Sequence, residues 1–357
     1  MGFSWMTKKD LIGLDIGSGA IKLVQIKKAG RGYRLVKFGV KTLDPELIVD
    51  GTVVDASRVV SAIKTLLEEQ GVKEKNVALS VSGHAVIVKK VGMPVMTEEA
   101  LEESIKWEAE QYIPFDINDV NLDFHILDRA PAQTGDQGQM DVLLVAVKKD
   151  KLAEYTQLAT EAGLVPVVVD VDAFSLENMY TANYEVKNGE VVALLNIGAN
   201  VLNINILKNG AFAFTRDISI GGNKYTEAIQ RDFHIDYAQA EKAKQLEAVE
   251  GVEEKAILGI IDGLNAEIAT EVSRSFDYYK TTSNNEQIHR ILLSGGTSKM
   301  PQIRARMEEK TGVPTEALNP FNKIQIPQKS FDLDYIRDMA PLAAVGVGLA
   351  MRRVGDR

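Results

Sequence analysis

The chain has 357 residues, enough for two domains, and a composition of 45% hydrophobic and 25% charged residues is that of a globular protein with a sizeable core. A net charge of −9 argues against nucleic-acid binding through phosphate contacts, and the absence of cysteine excludes disulfides, thiolate catalysis and thiolate metal sites. Four scattered histidines make a zinc site improbable, residues 1–10 lack a signal-peptide core, and no run reaches the ~18 apolar residues of a membrane span, so the chain reads as soluble and cytoplasmic.

Residues 11–16 and 20–27 are apolar and β-branched on either side of Gly17-Ser18-Gly19, which predicts a strand, a tight turn and a strand. Gly30-Arg31-Gly32 turns the chain into a third strand at 33–41. Residues 56–70 carry Val59, Val60, Ile63, Leu66 and Leu67 at helical spacing, with Gly71 as the stop. A short buried strand follows at 77–82. From 84 to 166 the character changes. A strand at 85–91 leads to a helix over about 98–112, ended by Ile113-Pro114-Phe115. Strands at 121–127 and 141–147 flank a Gly-, Gln- and Pro-rich loop at 129–139, and a helix covers 152–162. This predicts a compact α/β insert with its own small core.

Residues 191–222 then replay the opening. The run Val192 to Asn200, ending Leu195-Asn196-Ile197-Gly198-Ala199-Asn200, matches residues 10–19 in pattern, and Lys208-Asn209-Gly210 falls where Lys28-Ala29-Gly30 stood. Two similar halves facing each other predict a cleft. After Gly221-Gly222 the chain turns helical at 225–233 and 237–246, and Ile261, Leu264, Ile268, Val272, Phe276 and Tyr279 stripe a long helix. A buried strand at 288–294 ends in Gly295-Gly296-Thr297, and helices follow at 301–311 and 341–352. The last is rich in Ala and Gly, which permits close packing.

Glycine turns let backbone amides approach an anion closely. One Asp-x-Gly-Ser-Gly turn is as consistent with an ordinary hairpin as with a phosphate grip. Two at matching places of a repeat, with a third Gly-Gly turn between a strand and a helix, form a stronger set. Asp15 suits hydrated magnesium, because hard cations take carboxylates and water.

The order of these three turns resembles the actin/Hsp70/sugar-kinase ATPase superfamily over essentially the whole chain. That resemblance implies an α/β, actin-like ATPase fold of duplicated RNase H-like halves, binding ATP or ADP with Mg2+. It implies a metal-facing Asp15, with Gly17, Ser18, Gly19 and Lys22 on one side of the phosphates. Asn196, Gly198, Ala199 and Asn200 would face them from the other side, with Gly221 and Gly222 alongside. Gly295, Gly296, Thr297 and Met300 would hold the adenosine. Glu241 and Lys244, in Ala240-Glu241-Lys242-Ala243-Lys244, would face ribose or base, although by themselves they read as a solvated helix face.

The insert after Ser80-Val81-Ser82-Gly83 resembles that of the division protein FtsA, and the chain as a whole resembles the PilM family of type IV pilus assembly. Leu14-Asp15-Ile16-Gly17-Ser18, the run from Glu108 to Tyr112-Ile113-Pro114-Phe115, and Val169-Asp170-Val171-Asp172-Ala173-Phe174 carry that likeness. It divides the chain into subdomain 1A (1–83, 167–190 and 326–357), the insert 1C (84–166), 2A (191–223 and 284–325) and 2B (224–283). It implies an ATP-binding scaffold with at most slow hydrolysis, cytoplasmic and peripheral to the inner membrane. Its partners would be the cytoplasmic N-terminal tail of a PilN-like inner-membrane protein and the motor and platform proteins of pilus assembly. The tail would dock between the insert and the first domain, with the strand at 85–91 and the helix around Trp107 as candidate linings, though Trp107 also reads as plain core. A filament-forming FtsA-like division protein and a sugar kinase are the alternatives. One departure matters: Asn196 stands where the superfamily carries aspartate. Asp170 falls where relatives orient the attacking water, with Asp172 as a rival.

Overall fold

The computed structural model describes residues 11–30, 32–49, 51–129 and 138–355. The N-terminal ten residues, Arg31 of the predicted turn and most of the predicted loop at 129–139 lie outside them.

Two sheets carry the same topology. In the first, Ile12–Ile16 pairs antiparallel with Ala20–Ala29, which pairs antiparallel with Gly32–Thr42. On its other side Ile12–Ile16 pairs parallel with Asn76–Val81, and that strand with Val165–Val171. The second sheet repeats this order. Val191–Ile197, Leu202–Lys208 and Ala211–Ile218 form the antiparallel meander, and Arg290–Ser294 and Thr315–Ala317 add parallel strands. The first sheet has one extra edge strand, Ile324–Gln325. The turn chemistry repeats as well: the Gly17 N–H donates to the Ala20 carbonyl at 3.1 Å, and the Gly198 N–H to the Val201 carbonyl at 2.9 Å. This is the duplicated actin-like architecture.

One apolar core lies between the two sheets. It joins Val24, Ala78 and Leu176 to Val192, Leu194 and Leu292, and the helix Ala344–Met351 fills its centre. The small residues of that helix are required by contact. A Cβ on Gly13 would meet the Gly346 carbonyl oxygen at 2.2 Å, and one on Gly348 would meet the Ser175 carbonyl oxygen at 1.8 Å. The outer faces are covered by amphipathic helices. Ala56–Glu69 buries the five apolar residues expected of it, each contributing roughly 1.5–3 kcal/mol when fully buried, and the Asp55 carboxylate caps it by accepting from the Arg58 N–H. The long helix is Glu254–Thr282, striped as predicted.

A three-stranded sheet, ordered Val86–Pro94, Gln139–Lys148, Val120–Arg129, has its own core beneath the helix Glu98–Glu110. Trp107 is not part of that core; it is 78% exposed on the helix's outer side. Sequence pattern also misses the helix Asp172–Asn183, whose apolar residues lie all round it because both sheets cover it. The predicted final helix is split. Over the predicted 341–352 a 3-10 turn spans Ala340–Ala343 and the helix proper is Ala344–Met351, while a short helix that the pattern did not mark, Leu333–Met339, precedes them.

Candidate functional site

The glycine turns of both halves open into one cavity of ≈ 1090 Å3. Its first wall is built from Asp15, Gly17, Ser18, Gly19 and Lys22. Lys22 sits across the hairpin from Asp15 because the two are register partners, and its Nζ lies 3.1 Å from the Asp15 carboxylate. A Cβ on Gly17 would stand 2.9 Å from that Nζ, so any larger residue there would push the ammonium aside.

The second wall is Asn196, Gly198, Ala199 and Asn200. It is braced from behind: the Gly222 N–H donates to the Gly198 carbonyl at 3.0 Å and the Asn223 N–H to the Ala199 carbonyl at 2.8 Å. Gly222 lines the cavity, whereas Gly221 does not. Gly221 instead backs the turn, and a Cβ there would meet the Ala199 carbonyl oxygen at 2.5 Å.

Gly295, Gly296, Thr297 and Met300 line the third side. Gly295 has φ 84 and ψ 164, a conformation open almost only to glycine. The Thr297 hydroxyl donates to the Gly198 carbonyl at 2.8 Å, tying the third turn to the second.

Glu241 and Lys244 also line the cavity and are not a solvated face. Lys244 is buried, and burial lowers its pKa. Its ammonium donates to the Glu241 carboxylate, to the Thr226 hydroxyl at 2.8 Å and to the Gly222 carbonyl at 3.4 Å. The helix Tyr237–Lys244 is thereby stitched to the Gly221-Gly222 turn.

The two aspartates of Val169-Asp170-Val171-Asp172 part company where the strand ends at Val171 and the helix begins at Asp172. Asp170 does not line the cavity. It is buried behind it, accepting from the Val171 N–H at 2.8 Å and the Ser175 hydroxyl at 3.3 Å, with Arg352 at 3.5 Å. Asp172 lines the cavity. Burial, reinforced by the Asp15 charge, pushes its pKa up to about 6 against hydrogen bonds from Ser80 and Ser82. Of the two candidates for orienting water, Asp172 is the one that lines the cavity, while Asp170, the first choice from sequence, stands behind its wall.

Among the described residues no group of three or more His, Asp or Glu side chains is arranged to hold a metal. Asp15 and Asp172 nevertheless fit magnesium in the manner usual beside phosphates, where one or two carboxylates, water and phosphate oxygens share the ion. The glycine cradle fits a phosphate chain, because Gly17, Gly19, Gly198, Gly295 and Gly296 line it with backbone in place of side chains.

Three residues escape sequence reading. Asn203 and Asp217 extend the Asn196 contact into a relay: the Asn196 amide donates to Asn203 at 3.1 Å, and the Asn203 amide to Asp217 at 2.8 Å. Tyr155 lies against the cavity with the Lys151 ammonium 3.9 Å from its ring centroid. Strand alternation put Asn203 on the site's face, but nothing local distinguished it from an ordinary strand asparagine.

The family model for type IV pilus assembly protein PilM matches residues 13–354. The chain belongs to the PilM family. Its structure superposes on one titled PilM-PilN type IV pilus biogenesis complex with a TM-score of 0.85 at 29% identity, covering 97% of this chain and 98% of that one. More distant likenesses show the fold alone. The ethanolamine utilization protein EutJ from Carboxydothermus hydrogenoformans matches at 15% identity and TM-score 0.55, covering 96% of this chain and 89% of that one. MreB5 of Spiroplasma citri, bound to ADP, matches at 13% identity and TM-score 0.50, covering 95% and 94%. Membership in the PilM family replaces the division-protein and sugar-kinase alternatives. Among the described residues no helix of this family member is long and apolar enough to cross a membrane.

Proposed function

We propose that this PilM-family chain is a nucleotide-responsive scaffold of type IV pilus assembly. ATP or ADP with Mg2+ occupies the cavity between the halves, and a PilN-like cytoplasmic tail holds the protein at the inner membrane. The observation that carries the nucleotide reading is the convergence of three glycine turns on Asp15, Lys22 and Asp172 in one cavity. MreB5 of the same fold is bound to ADP in its own structure, which agrees with that reading. Asp15 and Asp172 would hold magnesium through its waters, the ion would supply charge neutralisation to the phosphates, and Lys22 would face them from the same wall. With Asn196 in place of a carboxylate, water activation is weak, and the nucleotide acts as a structural or switching ligand more than as fuel.

The PilN-like tail docks on the insert sheet, on the face turned toward the first domain. Val86 and Val147 there pack on the first-domain core, while their neighbours Val88 and Val145, opposite each other in register, stay half-buried. The helix Glu98–Glu110 covers the opposite face, so Trp107 is not part of this groove. Val86–Pro94 is an edge strand and offers backbone groups for strand addition. Domain boundaries at 84 and 166 follow the same reading. Calorimetric titration with MgATP, and pull-down of PilN-like tail peptides with and without it, tests both halves of the proposal. Absence of nucleotide binding, or fast sugar-dependent phosphate release, would overturn it.

A further inference from the structure

The segment Ser80–Ala85 touches three parts of the molecule at once. Toward the cavity, Ser80 and Ser82 donate to Asp172. Toward the insert, the Gly83 carbonyl accepts from the Val86 N–H at 3.0 Å, and the Ala85 carbonyl accepts from the Lys148 N–H at 3.0 Å. Val86 starts the first insert strand and Lys148 ends its return strand, so both connections of the insert are pinned at this one point. Toward the second half, the Gly83 N–H donates to Asp217 at 2.6 Å, and the His84 Nε2 lies 2.8 Å from the Ser219 hydroxyl.

Asp217 closes a continuous chain of hydrogen bonds. The Ser294 hydroxyl donates to Asn196 at 3.3 Å, Asn196 to Asn203 at 3.1 Å, and Asn203 to one Asp217 oxygen at 2.8 Å. The other Asp217 oxygen takes the Gly83 N–H. Each carboxylate oxygen thus has one donor, from opposite sides of the cleft. The chain begins on the strand before the third glycine turn, crosses the second turn and ends at the root of the insert.

We infer that Asp217 is a latch residue that ties the nucleotide-facing turn of the second half to the root of the insert. The inference rests on the nucleotide reading above and adds how that site is coupled to the insert. A ligand that moves Asn196 moves Asp217, and Asp217 carries the Gly83 hinge with it. By linkage, whatever grips the insert then shifts nucleotide affinity by the same factor.

The test uses hydrogen–deuterium exchange on the full chain, with MgADP as the probe and calorimetry run in parallel. In the wild type, MgADP slows exchange in Val86–Pro94 and Gln139–Lys148 by roughly fivefold or more, the low end of usual coupling. Asp217→Asn offers one acceptor oxygen where the carboxylate offers two, so it must release Asn203 or Gly83. In that variant the insert no longer responds, although MgADP still binds. Ser219→Ala, at an exposed position that folding tolerates, removes the parallel contact and reduces the response. An insert that responds equally in wild type and Asp217→Asn overturns the latch, as does a wild type that binds MgADP with no response in the insert. A wild type that fails to bind MgADP overturns the nucleotide reading itself, and the latch falls with it.

Discussion

Gly295→Ala is the sharpest test of where the third wall of the cavity gets its shape. Gly295 adopts φ 84 and ψ 164, and placing a side-chain carbon in that region costs ~1–3 kcal/mol in backbone strain. The added Cβ would lie 2.3 Å from the Ile197 carbonyl oxygen, with the Ile197 carbonyl carbon and nitrogen at 2.6 and 2.7 Å. Ordinary contact begins near 3.4 Å, so one turn must withdraw from the other by about 1 Å. Ile197 directly precedes Gly198, so the displacement falls on the second wall of the cradle. A constellation misplaced by ~1 Å loses up to ~10²-fold in activity, and a tenfold loss of MgATP affinity, about 1.4 kcal/mol, is the least expected here. Titration of the folded variant by calorimetry, beside a thermal melt, measures both effects. Gly259→Ala is the control: it lies on the long helix outside the cavity lining, its Cβ would meet nothing within 4 Å, and it should leave affinity unchanged. A Gly295→Ala protein that binds MgATP as tightly as the wild type would refute the placement of nucleotide between these turns.

Asn196→Asp restores a carboxylate to the second turn but cannot donate to Asn203. It should raise magnesium-dependent phosphate release while lowering the melting temperature of the nucleotide-free protein; an unchanged release rate counts against the role given to Asn196. Asp172 is raised on folding from 3.8 to about 6, so the native state holds the extra proton between those values. Its contribution to stability therefore falls as pH rises through that window, and Asp172→Asn should remove that part of the slope in pH-dependent denaturation. In the wild type, magnesium-dependent nucleotide affinity should rise as pH passes about 6 and Asp172 ionises; a pH-independent affinity is the adverse result. Gly348→Ala drives a methyl to 1.8 Å from the Ser175 carbonyl oxygen and should cost ~1–3 kcal/mol or more by denaturant titration, and an unshifted midpoint would contradict the helix contact.

The sequence by itself determined the duplication and its three glycine turns, because strand alternation and glycine are local signals that survive without tertiary context. Asp15-x-Gly17 and Asn196-x-Gly198 were legible as matching turns, and the hydrogen bonds of Gly17 and Gly198 repeat accordingly. Periodicity also found the helix over 56–70, whose apolar side faces a single sheet. It failed at Asp172–Asn183, because a helix covered on both sides has no polar face to mark its period. Tertiary structure alone decided which aspartate faces the cavity. Asp170 and Asp172 are two residues apart, and the change from strand to helix at Val171 sends one behind the wall and the other into it. It also decided that Lys244 is buried among Glu241, Thr226 and Gly222, since charges on a short helix look solvated until the turn they stitch is in place. The contact of Asp217 with Gly83, 134 residues apart, lay beyond any local pattern. Only the facing of the two halves brings that carboxylate to that amide.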